Sequence, residues 1–370
     1  MKYHSLCGGL EVKRFTFRRV DKRNGETIVP LDLTAGLIQR TTPSMAYAIA
    51  QGHADMPSRD LEQHLRAAHR IPPSRSTLDR LGRSIGSGFK QSLSIVEPLV
   101  RAEEQLPKGS HGLSLGLDRT SVPMAEGSGE DIQVHYRMAY VGTVAITDRD
   151  GHKLTARRYA AAAHEGPAEL LNRMMADVRS ALAQQPSLHV LLVQDGADEM
   201  WNLMRPALKA ALPGKRWLEA IDWYHLSERL AQISELLEPD TQRREKLVER
   251  WKRSLERNDR AVYSLIMKMN KYFWSKAPHW RAMGQHLTYF THSPKMHYAS
   301  LRKLGLPVGS GITEGACKSL IAIRAKRSGQ RWRPRGIDAV LAVRSAQQSD
   351  RLAPCWALFS QQYTTPVLAA

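Results

Sequence analysis

Three carboxylates stand where phosphoryl-transfer chemistry would want them. Asp118 closes the apolar run LSLGLD, and Asp195 closes LHVLLVQD. Glu314 is the single acidic residue between Asp259 and Asp338, a stretch with fifteen Lys and Arg. Ligands of α/β sheets gather at the carboxyl ends of strands. Two aspartates side by side there repel each other unless divalent cations bridge them. With a third carboxylate from a nearby helix they would cage two Mg²⁺ or Mn²⁺ ions roughly 3.5–4 Å apart. Such a pair activates water or a 3′-OH and stabilises the leaving oxygen of an in-line displacement. Mg²⁺ suits the role because it takes few carboxylates and fills its other positions with water and phosphate oxygens. A lone carboxylate in a basic field is either an ion-pair partner or a ligand on a surface that holds phosphates.

The elements that must position these groups lie between 111 and 222. LSLGLD, VHYRMAYVGTVAIT and KLTARRYAAA read as strands, the last two joined by the turn Asp148-Arg149-Asp150-Gly151. Residues 167–184 read as a helix, LHVLLVQD as a buried strand, ADEMWNLMRPALKAAL as a helix and RWLEAID as a strand. In this β-β-β-α-β-α-β order the first and fourth strands would be neighbours, with Asp118 and Asp195 side by side. Asp198 and Glu199 sit at a helix start, where capping explains them. Lys318, one turn after Glu314, is placed to hold a phosphate or to pair with Glu314. Cys317 reads as a small buried residue. From 223 to about 290 the chain is helical and highly charged; GSGITEGACKSLIAIRAKRSG then gives a Gly-punctuated loop and a helix holding Glu314.

Upstream, residues 1–35 read as short strands, LEVKRFTFRRV and TIVPLDL, around an Asn24-Gly25 turn. Residues 43–87 give three short helical patterns, with Ser58 and Ser76 as N-caps and Ser76 with Asp79 as a capping box. Ile71-Pro72-Pro73 separates the last two, which is the layout of a helix-turn-helix with 74–86 as recognition helix. Arg75, Arg80 and Arg83 would then contact DNA. A small helical bundle that only packs or dimerises fits equally well. Residues 88–108 read as a helical linker.

The chain has 370 residues, enough for two or three domains, and a net charge of +18. That balance favours a polyanion, with nucleic acid ahead of a membrane because no basic amphipathic helix stands out. No apolar run is long enough to span a bilayer. The N-terminus carries no apolar signal core. Cys7, Cys317 and Cys355 are too few and too far apart for a zinc site or a disulfide framework, so a cytoplasmic, nucleoid-associated protein is expected. Of the stretches 1–110, 111–300 and 301–370, the last is the most basic per residue, at +8. Arg324, Lys326, Arg327, Arg331, Arg333 and Arg335, with Trp332 among them, form the densest basic cluster. Backbone binding with one stacking aromatic is the favoured reading, over a solvated helix face.

LGLDRTSVPM, VQDGADEMW, IDWYHLSERL and GSGITEGACKSLIAIRAKRSGQRW together resemble insertion-sequence transposases of the ISKra type, over about residues 111–352. The resemblance implies a DDE enzyme with a ribonuclease-H-like core, in which Asp118, Asp195 and Glu314 are the catalytic, metal-binding triad. It also implies double-stranded terminal inverted repeats and target DNA as partners, and action as a homodimer or larger assembly. The 119 residues from Asp195 to Glu314 imply a helical insertion. Asp222 and His225, in Asp-Trp-Tyr-His, resemble the Cys-x-x-His element of Mutator-like transposases with Asp in the Cys place. Asp222, ending the fifth strand, would orient DNA or His225 beside the metals, or both would simply close a strand-to-helix turn with Asp222 as its cap. The expected α/β organisation is a hairpin region (1–42), a helix-turn-helix-like domain and linker (43–110), a ribonuclease-H-like mixed sheet (111–222), a helical insertion (223–300), the Glu helix and basic segment (301–352) and a tail (353–370). The competing functions are a catalytically inactive DNA-binding regulator and a ribonuclease-H-like nuclease that cleaves without joining.

Overall fold

Two short antiparallel hairpins open the chain in this computed structural model, which describes all residues except 19, 22, 24, 26, 130 and 365–370. Strand β1 (Lys2–Ser5) pairs with β2 (Gly8–Glu11), and β3 (Phe17–Arg18) with β4 (Thr27–Ile28). The β3–β4 hairpin falls where a turn was expected, although Asn24 itself lies outside the described residues. TIVPLDL is not one strand. Pro30 sits at the first position of helix α1 (Pro30–Thr34), where its fixed φ favours a helix start.

Helices α2 (Pro43–Asp55) and α3 (Ser58–Ala67) follow, then α4 (Arg75–Glu103). The expected recognition helix and linker are one 29-residue helix. Leu78, Leu81, Ile85, Phe89, Leu93, Val96 and Val100 continue one apolar stripe through the supposed break. Gly82 and Gly86 do not end the helix; they let it touch its neighbours. A Cβ at Gly82 would lie 2.4 Å from the His53 ring, and one at Gly86 2.8 Å from Ala339 Cβ. The Ser76–Asp79 capping box does not form. Ser74 is the N-cap, and Asp79 accepts from Ser58 and pairs with Arg83.

The central sheet has the order β7-β6-β5-β8-β9. Its strands are β5 (Gly112–Glu126), β6 (Gln133–Thr147), β7 (Lys153–Ala161), β8 (His189–Gln194) and β9 (Leu218–Ile221). The first three are antiparallel, and β8 and β9 run parallel to β5. Helix α5 (Ala168–Gln184) joins β7 to β8, and α6 (Asp198–Ala211) joins β8 to β9, so the element order agrees with the sequence reading. Leu113, Leu115 and Leu117 share a core with α5 and α6, while Val122, Met124, Ala139 and Val141 pack on residues 316–341. The result is a mixed α/β sheet covered by helices on both faces.

After β9 come α7 (Trp223–Leu237), α8 (Thr241–Arg257), α9 (Ala261–Trp274), α10 (Trp280–Tyr289), a 3₁₀ segment (Phe290–Lys295) and α11 (Tyr298–Lys303). The chain then returns to the sheet as α12 (Gly311–Ala316), continues through a π-helical segment (Cys317–Ala322) into α13 (Ile323–Ala325), and ends with α14 (Pro334–Gln347) and α15 (Leu352–Gln361). The described part of the expected tail, 353–364, is therefore largely helix; residues 365–370 lie outside the described residues. Trp356 and Phe359 of α15 are buried against α4, in a core that α2, α3 and α14 share. Among the described residues no helix is long and apolar enough to cross a membrane.

Candidate active site

The register of β5 against β8 levels the two aspartates. Leu115 pairs with Leu192, and Asp118 and Asp195 each lie three residues further on. Beyond Leu115 the backbones part, and the Gln194 side chain takes over: its Oε1 accepts from Leu117 N at 3.1 Å. Asp195 then opens the turn into α6. Its Oδ1 accepts from Ala197 N at 2.9 Å, and its carbonyl accepts from Trp201 Nε1 at 3.0 Å.

Glu314 reaches the same place from α12, and Gly116 makes that possible. A Cβ at Gly116 would lie 2.1 Å from Thr313 Oγ1, so only glycine lets α12 settle on the strand. Thr313 and Thr143 share a hydroxyl hydrogen bond of 2.7 Å, and Ser310 Oγ donates to Glu314 Oε1 at 3.2 Å. One narrow cavity is lined by Asp118, Asp195, Glu314, His225, Gln194, Ser310 and Thr313. The three sequence-selected carboxylates thus meet around one opening.

Asp222 and His225 belong to this site. Asp222 is fully buried at the N-cap of α7. Its Oδ2 accepts from His225 N at 2.9 Å and lies 2.8 Å from His225 Nδ1, and its Oδ1 accepts from Ser310 N. Capping and orienting His225 are therefore one arrangement. Burial pushes the Asp222 carboxyl up, but the bonds from His225 and Ser310 outweigh it and hold it below the usual range. The Asp222 hydrogen bond, with the Asp195 and Glu314 charges behind it, raises His225 to about 9. At neutral pH His225 is an imidazolium, 3.8 Å from Glu314 Oε1.

Cys317 also touches the site. Its Sγ donates to Asp118 Oδ2 at 3.2 Å, and burial pushes the thiol up, so it is a donor and not a nucleophile. Asp198 and Glu199 begin α6 as expected of helix-start acids, and Glu199 pairs with Arg119 at 2.6 Å.

The donor chemistry fits a hard divalent cation. All three candidate ligands are carboxylates, and among the described residues Asp195 Oδ2 and Glu314 Oε2 accept no hydrogen bond. Gln194 Nε2 is buried at the cavity wall without a partner, a donor that suits a water or phosphate oxygen in the cavity. Asp118, Asp195 and Glu314 do not all bring a ligand atom within 4.8 Å of one another; Asp222, His225 and Glu314 do. In that second group Asp222 already gives one carboxylate oxygen to His225 and the other to Ser310 N.

The basic residues divide. Arg75, Arg80 and Arg83 are exposed on the first three turns of α4, although Arg83 pairs with Asp79. Lys318, Arg331 and Arg335 are exposed. Lys326 donates to Thr120 Oγ1 at 2.6 Å, Arg327 pairs with Asp60 at 3.0 Å, and Arg333 donates to Gly127 O at 2.6 Å; all three remain exposed. Arg324 and Trp332 are not surface groups. Arg324 is 2% exposed, donates twice to His53 O and lies 4.6 Å from the Trp332 ring centroid. Burial, with Arg344 nearby, lowers Arg324 to about 10. Trp332 is buried, gives its Nε1–H to Ala325 O and bonds through its backbone to Pro123 and Ala125. Both are fixed in the core and cannot serve as the expected phosphate contact and stacking aromatic.

Sequence reasoning passed over Gln194, Ser310 and Thr313. The first precedes a candidate aspartate, and the other two precede the candidate glutamate by about one turn or less. Compared with known family models, the chain matches none. It matches no curated protein either.

Proposed function

We propose that this chain is a DNA transposase of the DDE group, with a ribonuclease-H-like core and Asp118, Asp195 and Glu314 as its metal-binding triad. The observation that carries the reading is the convergence of three carboxylates on a single cavity: Asp118 from within β5, just past the point where it parts from β8, Asp195 from the end of β8, and Glu314 from α12. The resemblance to ISKra-type transposases supports it, as does a net charge of +18. Asp118, Asp195 and Glu314 would hold two Mg²⁺ or Mn²⁺ ions. When bound, these supply Lewis-acid activation of the attacking oxygen and neutralise charge on the phosphoryl group and leaving oxygen.

The chain's own groups do the rest. Asp222 holds the His225 ring in place through Nδ1. The imidazolium stands beside Glu314, where it can offer Nε2–H to a phosphate oxygen. Gln194 Nε2 offers a second neutral donor. Cys317 and the Arg119 amide fix the Asp118 carboxylate from both oxygens. Exposed Lys318, Lys326 and Arg331 lie on the same chain segment as Glu314, positioned for backbone phosphates of paired element ends bound by a homodimer.

The test is cleavage and strand transfer by the full chain on duplexes carrying the inverted repeats that flank its coding region, in Mg²⁺ and Mn²⁺. Metal-dependent cleavage and joined strands are expected. Free ends without joined products would select a nuclease instead. Sequence-specific binding with no cleavage in either metal would select an inactive regulator.

A further inference from the structure

The helical insertion concentrates a charge that the chain as a whole dilutes. Residues 241–297 hold thirteen Lys and Arg against four Asp and Glu, a net +9, half of the chain's +18. From 260 to 297 there are six cations and no carboxylate. Two features of this region point to a nucleic-acid partner.

The first is on α8. Lys246, Arg250, Arg253 and Arg257 recur at helical spacing and line one side of a shallow groove. They span about 16 Å along the axis at 1.5 Å per residue. Glu249 is the acid on that face, and it pairs with Arg253. The second is the turn between α9 and α10. Trp274 is 70% exposed there, with the Phe273 ring 5.2 Å away and Trp280 beyond it. Lys276 Nζ lies 3.8 Å from the Trp280 centroid, and Arg281 covers the same ring at 5.2 Å. Lys276 and His279 both hold positive φ, 53° and 65°, a conformation that costs non-glycine residues energy and is retained where the surroundings enforce it. An exposed indole among cations, with no carboxylate in the segment, is poor solvation design and a good stacking platform.

We propose that the insertion is a nucleic-acid surface in its own right: the α8 stripe binds a phosphate backbone, and Trp274 stacks on an unpaired base. This rests on the DNA-processing reading above and deepens it, by assigning part of the substrate to a surface outside the triad cavity. Duplex alone would satisfy the α8 stripe; the exposed indole adds a preference for DNA with unpaired bases, as at a strand end being opened.

The experiment measures equilibrium binding of the full chain to duplex and to forked DNA with unpaired bases, over a range of salt, for the wild type and three variants. Trp274→Ala should weaken forked-DNA binding about tenfold and leave duplex binding unchanged, because stacking is lost and charge is not. Trp274→Phe should restore most of the loss. The triple variant Lys246→Ala/Arg250→Ala/Arg257→Ala should lower the slope of log affinity against log salt by about 2–3 on duplex. All these side chains are exposed, and unchanged thermal melting would confirm intact folds. Wild-type binding with Trp274→Ala and the triple variant indistinguishable from it would overturn this inference and leave the proposed function standing. No DNA binding by the wild type would overturn both. Binding to anionic vesicles that Trp274→Ala abolishes, with DNA binding unaltered, would assign the surface to membranes and also overturn it.

Discussion

His225 owes its charge first to the buried carboxylate of Asp222, with Asp195 and Glu314 adding to it. With Asp222 hydrogen-bonded to Nδ1 it titrates at about 9, against an ordinary 6.5. A group raised on folding stabilises fully below its unfolded value and loses that contribution as pH climbs through its folded value. The His225–Asp222 bond should therefore help the metal-free protein at pH 6 and fade between about 6.5 and 9. The side chain is 42% exposed, so solvent screens most of that contribution, and the titration itself is the better readout. Imidazole NMR of the metal-free chain should show one histidine titrating near 9, and Asp222→Asn should return it towards 6.5. Added Mg²⁺ should lower it in the wild type, because a divalent cation among the same carboxylates opposes the imidazolium. A His225 signal indifferent to Mg²⁺ would count against metal binding at this cavity. At the neighbouring carboxylates, Asp118→Asn and Glu314→Gln keep shape and remove charge. Each should cut metal-dependent strand cleavage by ~10³-fold or more, several kcal/mol of transition-state stabilisation, with thermal melting little changed. Cleavage that survives either change would remove that residue from the triad.

At the scale of elements, the site depends on how closely α12 approaches β5. That distance is set where Gly116 faces Thr313. Gly116→Ala would place a methyl 2.1 Å from Thr313 Oγ1, so the helix must shift or Thr313 must rotate and break its bond to Thr143. Overpacking of this kind costs about 1–3 kcal/mol, read by denaturant unfolding, and activity should fall further than stability because Glu314 moves with the helix. The strand that carries Asp195 was legible because it is a continuous apolar run stopped by a carboxylate; β5 was legible only as far as Asp118, and it in fact continues to Glu126 because β6 pairs with it along its whole length. The parallel pairing of β5 with β8 followed from the helices between them. Helix α4 was not legible in full, because a glycine that permits close packing on Ala339 looks in sequence like one that ends a helix. Arg324 and Trp332 were misread for a similar reason. Within a run of cations nothing local distinguishes the arginine that turns inward to His53 O from those that face water. Glu314 was legible because a lone acid among cations is a local property. Asp222 was legible both as a cap and as a partner of His225, since one carboxylate serves both.

At the scale of the whole molecule, buried and half-buried arginines join parts of the chain that sequence alone separates. Arg351, 2% exposed, precedes α15 and bonds to Glu104 after α4, to Asp177 on α5 and to Tyr159 on β7. Arg101 on α4 pairs with the same Asp177, Arg157 on β7 with Glu104, and Arg173 on α5 holds Glu97 of α4 through two bonds. Arg344 on α14 pairs with Asp55 at the end of α2 and also donates to Ala54 O. The N-terminal helices are thus bound to the sheet by charge and to α14 and α15 by a shared apolar core. A separately folding DNA-binding domain would unfold by itself. This arrangement requires residues 43–110 and the sheet to melt together, because neither can leave without exposing paired charges and half of a core. Calorimetry should give one transition covering both regions. Arg351→Ala should lower stability by about 2–3 kcal/mol, since it removes one partner each from Glu104 and Asp177, which keep Arg157 and Arg101, and the single transition should move as a whole. A second, earlier transition in the wild type, traced by hydrogen exchange to α2–α4, would mean that the N-terminal helices are an independent unit after all. Their exposed Arg75 and Arg80 would then move relative to the triad cavity instead of standing at a fixed distance from it.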